Sequence, residues 1–416
     1  MNASVGQASL DLGTSARWRV LAATFLAYFY DSYDLAILSI ALPVIIKILG
    51  VSLAEAGLLA SATMIGAAAG SIVLGTVADN RGRRFAVVLS LIWFGVGTAF
   101  IYLVQNYAEW MILRFITGFA IGGVWGPCVA LIARHWAPTY RARASSFMLS
   151  TFALASAAAA LVGRLVLTLD WRLLFLTGSS AVLIAIYVYF AVPDDSGRPG
   201  VDSQRESKRE SVGLATIFSG GLARYTILAT LLNAAFMAGF WGAATWIPTY
   251  LVSERGLSLE VMANFSFVMY VGMFAGYQLL AYLGDKIGRK KALIVAILIG
   301  VVSIPIYLVV SHNSFLFWWG MVVDFSFGGC FGLAGAYYSE LFPENVRALA
   351  GGFAFNVGRL GAVIAPYTVG LIAQQYGLHI GLIVAPVVLA LGLIALAFLP
   401  ETLKSQAHLE PGLAEG

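Results

Sequence analysis

Long apolar runs and short polar breaks alternate along the whole chain. Twelve runs, near residues 20–46, 54–78, 86–104, 109–133, 145–168, 173–192, 225–251, 260–283, 292–310, 315–338, 351–373 and 379–399, each hold about 19 to 27 residues. A helix needs roughly 20 residues to cross a bilayer core of about 30 Å, so twelve membrane-spanning helices are predicted. The first run follows a short head carrying Arg17 and Arg19. It is longer than the 7–15-residue apolar region of a secretory signal, and no small-residue cleavage site follows it, so it is read as retained.

One polar interval is long. "VPDDSGRPGVDSQRESKRESVG", Val192 to Gly213, is rich in Pro, Gly, Ser and charge and reads as a linker, with a short amphipathic helix near Leu214 to Phe218. It divides the chain into a six-span half at 1–192, a linker at 193–221 and a second six-span half at 222–416 with a short tail.

Composition supports the same class. The chain is 60% hydrophobic and 11% charged, against roughly 45–50% and about 25% in soluble proteins, and no soluble fold hides that much apolar surface. The two cysteines, Cys128 and Cys330, fall inside spans, so no disulfide framework is indicated. The net charge of +4 might point to an acidic partner, but nineteen of the 25 Lys and Arg fall on alternate loops and the ends, whereas the opposite loops hold Lys47, Arg172 and Arg255. The positive-inside rule makes the basic set, with both termini, cytoplasmic. The protein is therefore expected in the cell membrane as a multi-pass monomer, without nucleic acid.

The halves repeat in register. "GTVADNRGRR", beginning at Gly75, is matched by "AYLGDKIGRK", so Asp79 corresponds to Asp285, Gly82 to Gly288 and Arg83 to Arg289, at an offset of 206. The same offset relates Arg141 to Arg347, Phe147 to Phe353, and Gly122 and Gly123 to Gly328 and Gly329. Two equivalent bundles are expected, facing each other across a polar site near mid-membrane.

The "GxxxDxxGRR" loop, its weaker copy, the six-plus-six layout and "FLPET" at 398–402 resemble the major facilitator superfamily over nearly the whole chain. The implied fold is all-α, with twelve transmembrane helices in two pseudo-symmetric six-helix bundles. The sequence departs from the family pattern at Asn80, where a basic residue is usual, and at Ala281, where the first glycine of the second copy belongs. The resemblance implies an ion-paired cytoplasmic latch of Asp79, Arg83 and Arg84, and another of Asp285, Arg289 and Lys290. Gly82 and Gly288 would allow its tight turns. In "SELFPENVRA", Glu340 and Arg347 would join the second latch, whereas Arg134 stands where the first half would carry that acid.

Six charged residues lie inside the apolar runs: Asp31, Asp34, Arg114, Arg164, Asp324 and Arg359. A charge at the centre of a spanning helix costs roughly 2.5–3.5 kcal/mol on insertion scales, and such residues face a cavity or a partner. In sugar porters and related symporters, motifs similar to "YDLAILS" at 33–39 and "RFITGFAIGG" at 114–123 carry the proton-binding Asp and its arginine. The resemblance implies those roles for Asp34 and Arg114. A carboxyl shielded from water favours its neutral form and a neighbouring guanidinium favours the ionised one, so contact with Arg114 would decide whether Asp34 holds a proton. "DSYD" is similar to the "DxxD" of aromatic-acid and phosphate symporters, which adds Asp31 as a second coupling acid. Asp324 and Arg359 reach similar depth from opposite faces and would either pair or both line the cavity. An arginine there suits an anion, because its fork matches a carboxylate or phosphate. Arg164, near a span end, would snorkel.

Tyr33, Phe240, Trp241 and Tyr277 supply candidate aromatic walls, and Asn233, Gln278 and Asn356 candidate hydrogen-bond anchors. No nucleotide loop, metal cluster, cofactor motif or nucleophile arrangement is seen, so no enzyme activity is expected. The expectation is a proton-coupled symporter importing a small organic anion, such as a monocarboxylate or aromatic acid, by alternating access. A sugar, polyol or phosphate symporter is the alternative, with a drug-efflux antiporter or a non-transporting nutrient sensor behind it.

Overall fold

Within hydrocarbon each backbone N–H and C=O must find an internal partner, which a helix supplies, and among the described residues every regular element is helical. The computed structural model describes residues 14–194 and 213–403. Most of the expected linker, 195–212, and the tail with Lys404 lie outside the described residues. The short helix after the linker is one turn, Leu214–Ile217.

Among the described residues, twelve helices are long and apolar enough to cross a membrane. They are α1 Ser15–Leu49, α2 Leu53–Arg81, α3 Arg83–Leu103, α4 Tyr107–His135, α5 Arg143–Val166, α6 Arg172–Ala191, α7 Leu222–Ser253, α8 Leu259–Ile287, α9 Arg289–Val309, α10 Asn313–Leu341, α11 Leu349–Tyr376 and α12 Leu378–Ala397. Local chemistry fixes their starts. Ser52 caps α2 in a capping box with Glu55, and Ser258 caps α8 by accepting from the Val261 N–H; each satisfies a backbone donor that the first turn leaves unpaired. The helix of α6 is interrupted at Ser179 and Ser180 and that of α12 at Ile383, and two further interruptions bear on the site. The helix of α4 stops at Ile121 and resumes at Trp125, past the Gly122–Gly123 pair, and α11 breaks at Arg359.

The offset of 206 residues is visible in space. Gly82 and Gly288 end α2 and α8 with φ of 96° and 108°, a region that glycine enters without strain. Gly66 of α2 lies against the Phe115 carbonyl of α4, and Gly272 of α8 against that of Met321 in α10. Gly122 approaches Ala67 as Gly328 approaches Met273. Arg141 donates to the Trp136 carbonyl at 2.8 Å and Arg347 to that of Phe342 at 3.3 Å. Small residues let the backbones of α2 and α4, and of α8 and α10, touch directly, which is how helices associate where no hydrophobic drive exists.

Between the halves, α2 packs on α11 and α5 on α8. At the face away from the basic loops, Gly57 meets the Pro366 backbone and Gly370 meets the Leu53 carbonyl, while Trp246 of α7 donates to Pro366 at 2.8 Å. Arg164 does not simply snorkel: it pairs with Glu260 at the start of α8 at 3.3 Å. At the basic face the same two helices offer Gly75, Gly351 and Gly352, around which nothing lies within 4 Å of an added Cβ. The contact is a wedge, tight at one end.

The backbone contacts give a stability test. Gly66→Val and Gly272→Val each force a branched side chain onto a carbonyl of the neighbouring helix, and overpacking of this kind costs about 1–3 kcal/mol. Both should lower the thermal unfolding midpoint in detergent, whereas Gly126→Val, at a position with open space, should leave it nearly unchanged.

Candidate functional site

The charges inside the spans separate into three groups. The first is internal to the first half. Asp34 on α1 and Arg114 on α4 have no exposed side-chain surface, and Arg114 Nη1 stands 3.1 Å from Asp34 Oδ2. Arg114 Nε donates to Thr63 of α2 at 3.0 Å, and Thr98 of α3 donates to Asp34 Oδ1 at 2.7 Å. Four helices of one bundle thus converge on one carboxylate. Arg114 Nη2 has no hydrogen-bond partner. Tyr33 belongs to this interior too: its hydroxyl shares a hydrogen bond of 2.7 Å with Thr177 of α6.

The second group spans the halves. Asp31, one turn before Asp34, is buried, and its Oδ1 lacks a hydrogen-bond partner. The charges that reach it are those of Arg359, from the other half, and Asp34. Arg359 sits at the break in α11, its guanidinium carbon 5.6 Å from the Trp125 ring and 5.1 Å from that of Phe355. Those rings stack across the halves with centroids 5.0 Å apart and planes 18° apart. Tyr28 of α1 lies within electrostatic reach of Asp31, Arg359 and Cys128, and Tyr277 of α8 within reach of Tyr28. Residues from α1, α4, α8 and α11 therefore meet where the halves face each other. A guanidinium over two aromatic faces and opposite a carboxylate has both cation–π and ionic attraction.

Asp324 forms the third group and corrects an expectation. It makes no ion pair with Arg359; it is buried within the second half, its charge felt by Tyr270 and Tyr307. The carboxylate whose charge reaches Arg359 is that of Asp31. Asn233 donates to the Phe355 carbonyl at 3.0 Å, tying α7 to α11. Asn356 is exposed and donates to Gly352 of its own helix, and Gln278 is exposed. Phe240 is enclosed by Phe152, Phe327 and Phe331, with Trp241 edge-on beside it. Trp125, Phe355, Tyr28 and Cys128 were not singled out from the sequence; the interruption of α4 after its two glycines was the available signal for Trp125.

The basic-face loops form one latch in ion-paired form. In the second half Arg289 Nη1 pairs with Asp285 at 2.6 Å and Arg289 Nε with Glu340 at 3.3 Å. Thr402 donates to Glu340 at 2.6 Å. Lys290 turns elsewhere, its ammonium on the carbonyls of Ala397 and Leu399 at 2.9 and 2.7 Å, while Glu401 accepts from the Lys290 N–H at 3.3 Å. Arg347 takes no part, bonding the Phe342 carbonyl instead. In the first half, among the described residues, Asp79 makes no ion pair with Arg83 or Arg84. Arg84 instead pairs with Asp194 at 3.0 Å beyond α6.

A buried pair that loses one member leaves an uncompensated charge, at a cost of about 3–5 kcal/mol. Arg114→Ala should therefore destabilise the detergent-solubilised protein by that order in thermal unfolding. The double variant Asp34→Leu/Arg114→Met should recover most of the loss.

Comparison with known proteins places the architecture. The sequence matches the profile of the Major Facilitator Superfamily at residues 24–280 and 261–414. It is 30% identical over 372 residues to a probable 4-methylmuconolactone transporter of Cupriavidus pinatubonensis, covering 88% of this chain and 86% of that one. It is also 30% identical over 366 residues to the cis,cis-muconate transport protein of Acinetobacter baylyi, covering 86% and 88%. In structure it resembles the partially occluded inward-open xylose transporter XylE from E. coli, with a TM-score of 0.75 and 18% identity over 94% of this chain and 99% of that one. These relatives are transporters rather than enzymes, and by profile, sequence and fold together the chain belongs to the Major Facilitator Superfamily.

Proposed function

We propose that the protein is a proton-coupled symporter that imports a small, flat organic acid anion. The observation that carries this reading is Arg359, held over the stacked Trp125 and Phe355 rings and facing Asp31 across the two halves. A guanidinium fork matches a carboxylate in a bidentate way, and flat aromatic faces favour a conjugated carbon skeleton beside it. The relatives named for muconate and methylmuconolactone carry substrates of that kind. A sugar or polyol would need several free amides, whereas those of Asn233 and Asn356 are donated to the backbone carbonyls of Phe355 and Gly352.

Coupling follows from the charge arrangement. A substrate carboxylate that takes the guanidinium of Arg359 removes the countercharge of Asp31, and a carboxyl in that surrounding without a countercharge favours its neutral form. Asp34 lies within electrostatic reach of Asp31, with Arg114 holding Asp34 from behind. Substrate capture and proton capture are thereby one event. The halves, 1–192 and 222–416, rock about this site, and with the basic face cytoplasmic the tight α2–α11 contact at the far face describes an inward-facing state in the cell membrane.

Internal pH of vesicles containing the purified protein tests this. Addition of cis,cis-muconate or benzoate should acidify the lumen beyond empty vesicles, and xylose or phosphate should not; acidification by xylose alone would replace the anion reading. Asp31→Asn and Asp34→Asn should each abolish uphill accumulation while leaving substrate exchange intact, and unchanged accumulation in both would remove the doublet from coupling. Arg359→Gln should raise KM for the anion at least about tenfold, a charged hydrogen bond being worth roughly 1.5–3 kcal/mol, with Arg359→Lys falling between.

A further inference from the structure

On the outer side of the second half, away from the site between the halves, α7, α11 and α12 enclose a groove of about 590 Å³. Its floor is made by small residues, Ala234, Ala238 and Gly361, where Gly361 rests on the Ala234 carbonyl. Its rims are long apolar side chains such as Leu231, Ile364 and Leu391, all more than half exposed. Close approach of α7 and α11 at the floor, with bulk kept at the rims, is what leaves a channel rather than a flat helix face. From Val384 to Phe398 it follows α12 for about 20 Å at 1.5 Å per residue, which exceeds half of a hydrocarbon core of about 30 Å.

The groove does not end in hydrocarbon. At its basic-face end stands Phe398, and two cations are fixed around that residue. Arg224 of α7 lies 5.9 Å from the Phe398 ring and donates to its carbonyl at 3.4 Å. The Lys290 ammonium holds the carbonyls on either side, Ala397 and Leu399. Arg224 makes no other hydrogen bond among the described residues, so most of its fork faces outward at the groove mouth. Glu401, in the same stretch, is taken up by the backbone N–H groups of Lys290, Lys291 and Thr402.

We propose that this groove is a binding site for one anionic phospholipid, an acyl chain lying along α12 between α7 and α11 and the headgroup phosphate on Arg224, with Lys290 adding positive potential. A channel open to the bilayer for the depth of a leaflet and closed by cations at headgroup level is complementary to that molecule at both ends. A soluble anion would match only the cationic end. The site lies on α7 and α11, the helices that carry Asn233 and Arg359, so its occupant would brace the same helices that move around the transport site.

Native mass spectrometry of the full chain in detergent, with equal amounts of dioleoyl phosphatidylglycerol and dioleoyl phosphatidylcholine, reads this directly. The wild type should keep one phosphatidylglycerol in preference to phosphatidylcholine by about fivefold, the factor expected for one cation at headgroup level. Arg224→Gln, at an exposed position, should bring that ratio close to one, and Ala238→Trp should lower retention of both lipids. Millimolar inorganic phosphate should not displace the lipid. Equal retention of the two lipids by the wild type, or an undiminished preference in Arg224→Gln, would overturn the proposal. Displacement by phosphate would reduce the site to a cationic patch. Lipid-independent dimers that Ala238→Trp dissociates would place a second copy in the groove instead.

Discussion

The attraction between Asp31 and Arg359 is the interaction around which the rest of the molecule is arranged, because it is a buried electrostatic interaction that reaches from one half to the other. An uncompensated charge in a bilayer is costly, and the protein meets that constraint differently in each group. Arg114 and Asp34 are enclosed by four helices of one bundle and travel as a rigid unit. Asp324 stays among phenols inside the other bundle. Arg359 and Asp31 belong to different bundles, so any movement of one half against the other changes their mutual stabilisation. A substrate with its own carboxylate acts on that same balance.

Scaffold and chemistry obey different symmetries. The glycines that let α2 touch α4 recur, 206 residues on, where α8 touches α10, since backbone approach has one solution and duplication preserves it. The charges inside the spans do not recur. At the same offset Asp34 is replaced by Phe240, Arg114 by Gly320, and Arg359 answers to Ala153. The carboxylate doublet thus sits on one half and the guanidinium on the other, a division that a symmetric pair of bundles could not make.

Much of this was legible in the sequence because hydrocarbon is an unforgiving solvent. Apolar run length set the spans to within a few residues, and a charge inside a run marks itself, which is why Asp31, Asp34, Arg114 and Arg359 were visible. Which charge faces which was less so. Residue depth follows from counting along a helix, but rotation about the axis depends on packing between helices, so the sequence left open whether Arg359 would pair with Asp324 or line a cavity with it, and the carboxylate whose charge reaches it is Asp31. Trp125 and Phe355 were missed for a related reason: aromatic residues are common in membrane helices, and only the folded chain shows that these two stack across the halves. The first-half latch was expected from motif alone, and the path of Arg84 to Asp194 depends on where the end of α6 lies, which no local pattern encodes.

The wiring of residues 397–402 into the loop after α8 has a consequence for how the protein is made. Glu401 accepts the Lys290 N–H from 111 residues further along the chain, and Tyr337, Glu340 and Lys290 all bond to the same stretch. During synthesis the loop therefore reaches the membrane surface well before its fastening exists. The second bundle must be inserted and held by its helices alone until α12 emerges, and the last span then sets the loop in place. Biogenesis ends with the closing of a clasp, so a truncation near residue 400 would yield a bundle that inserts normally and cannot be locked.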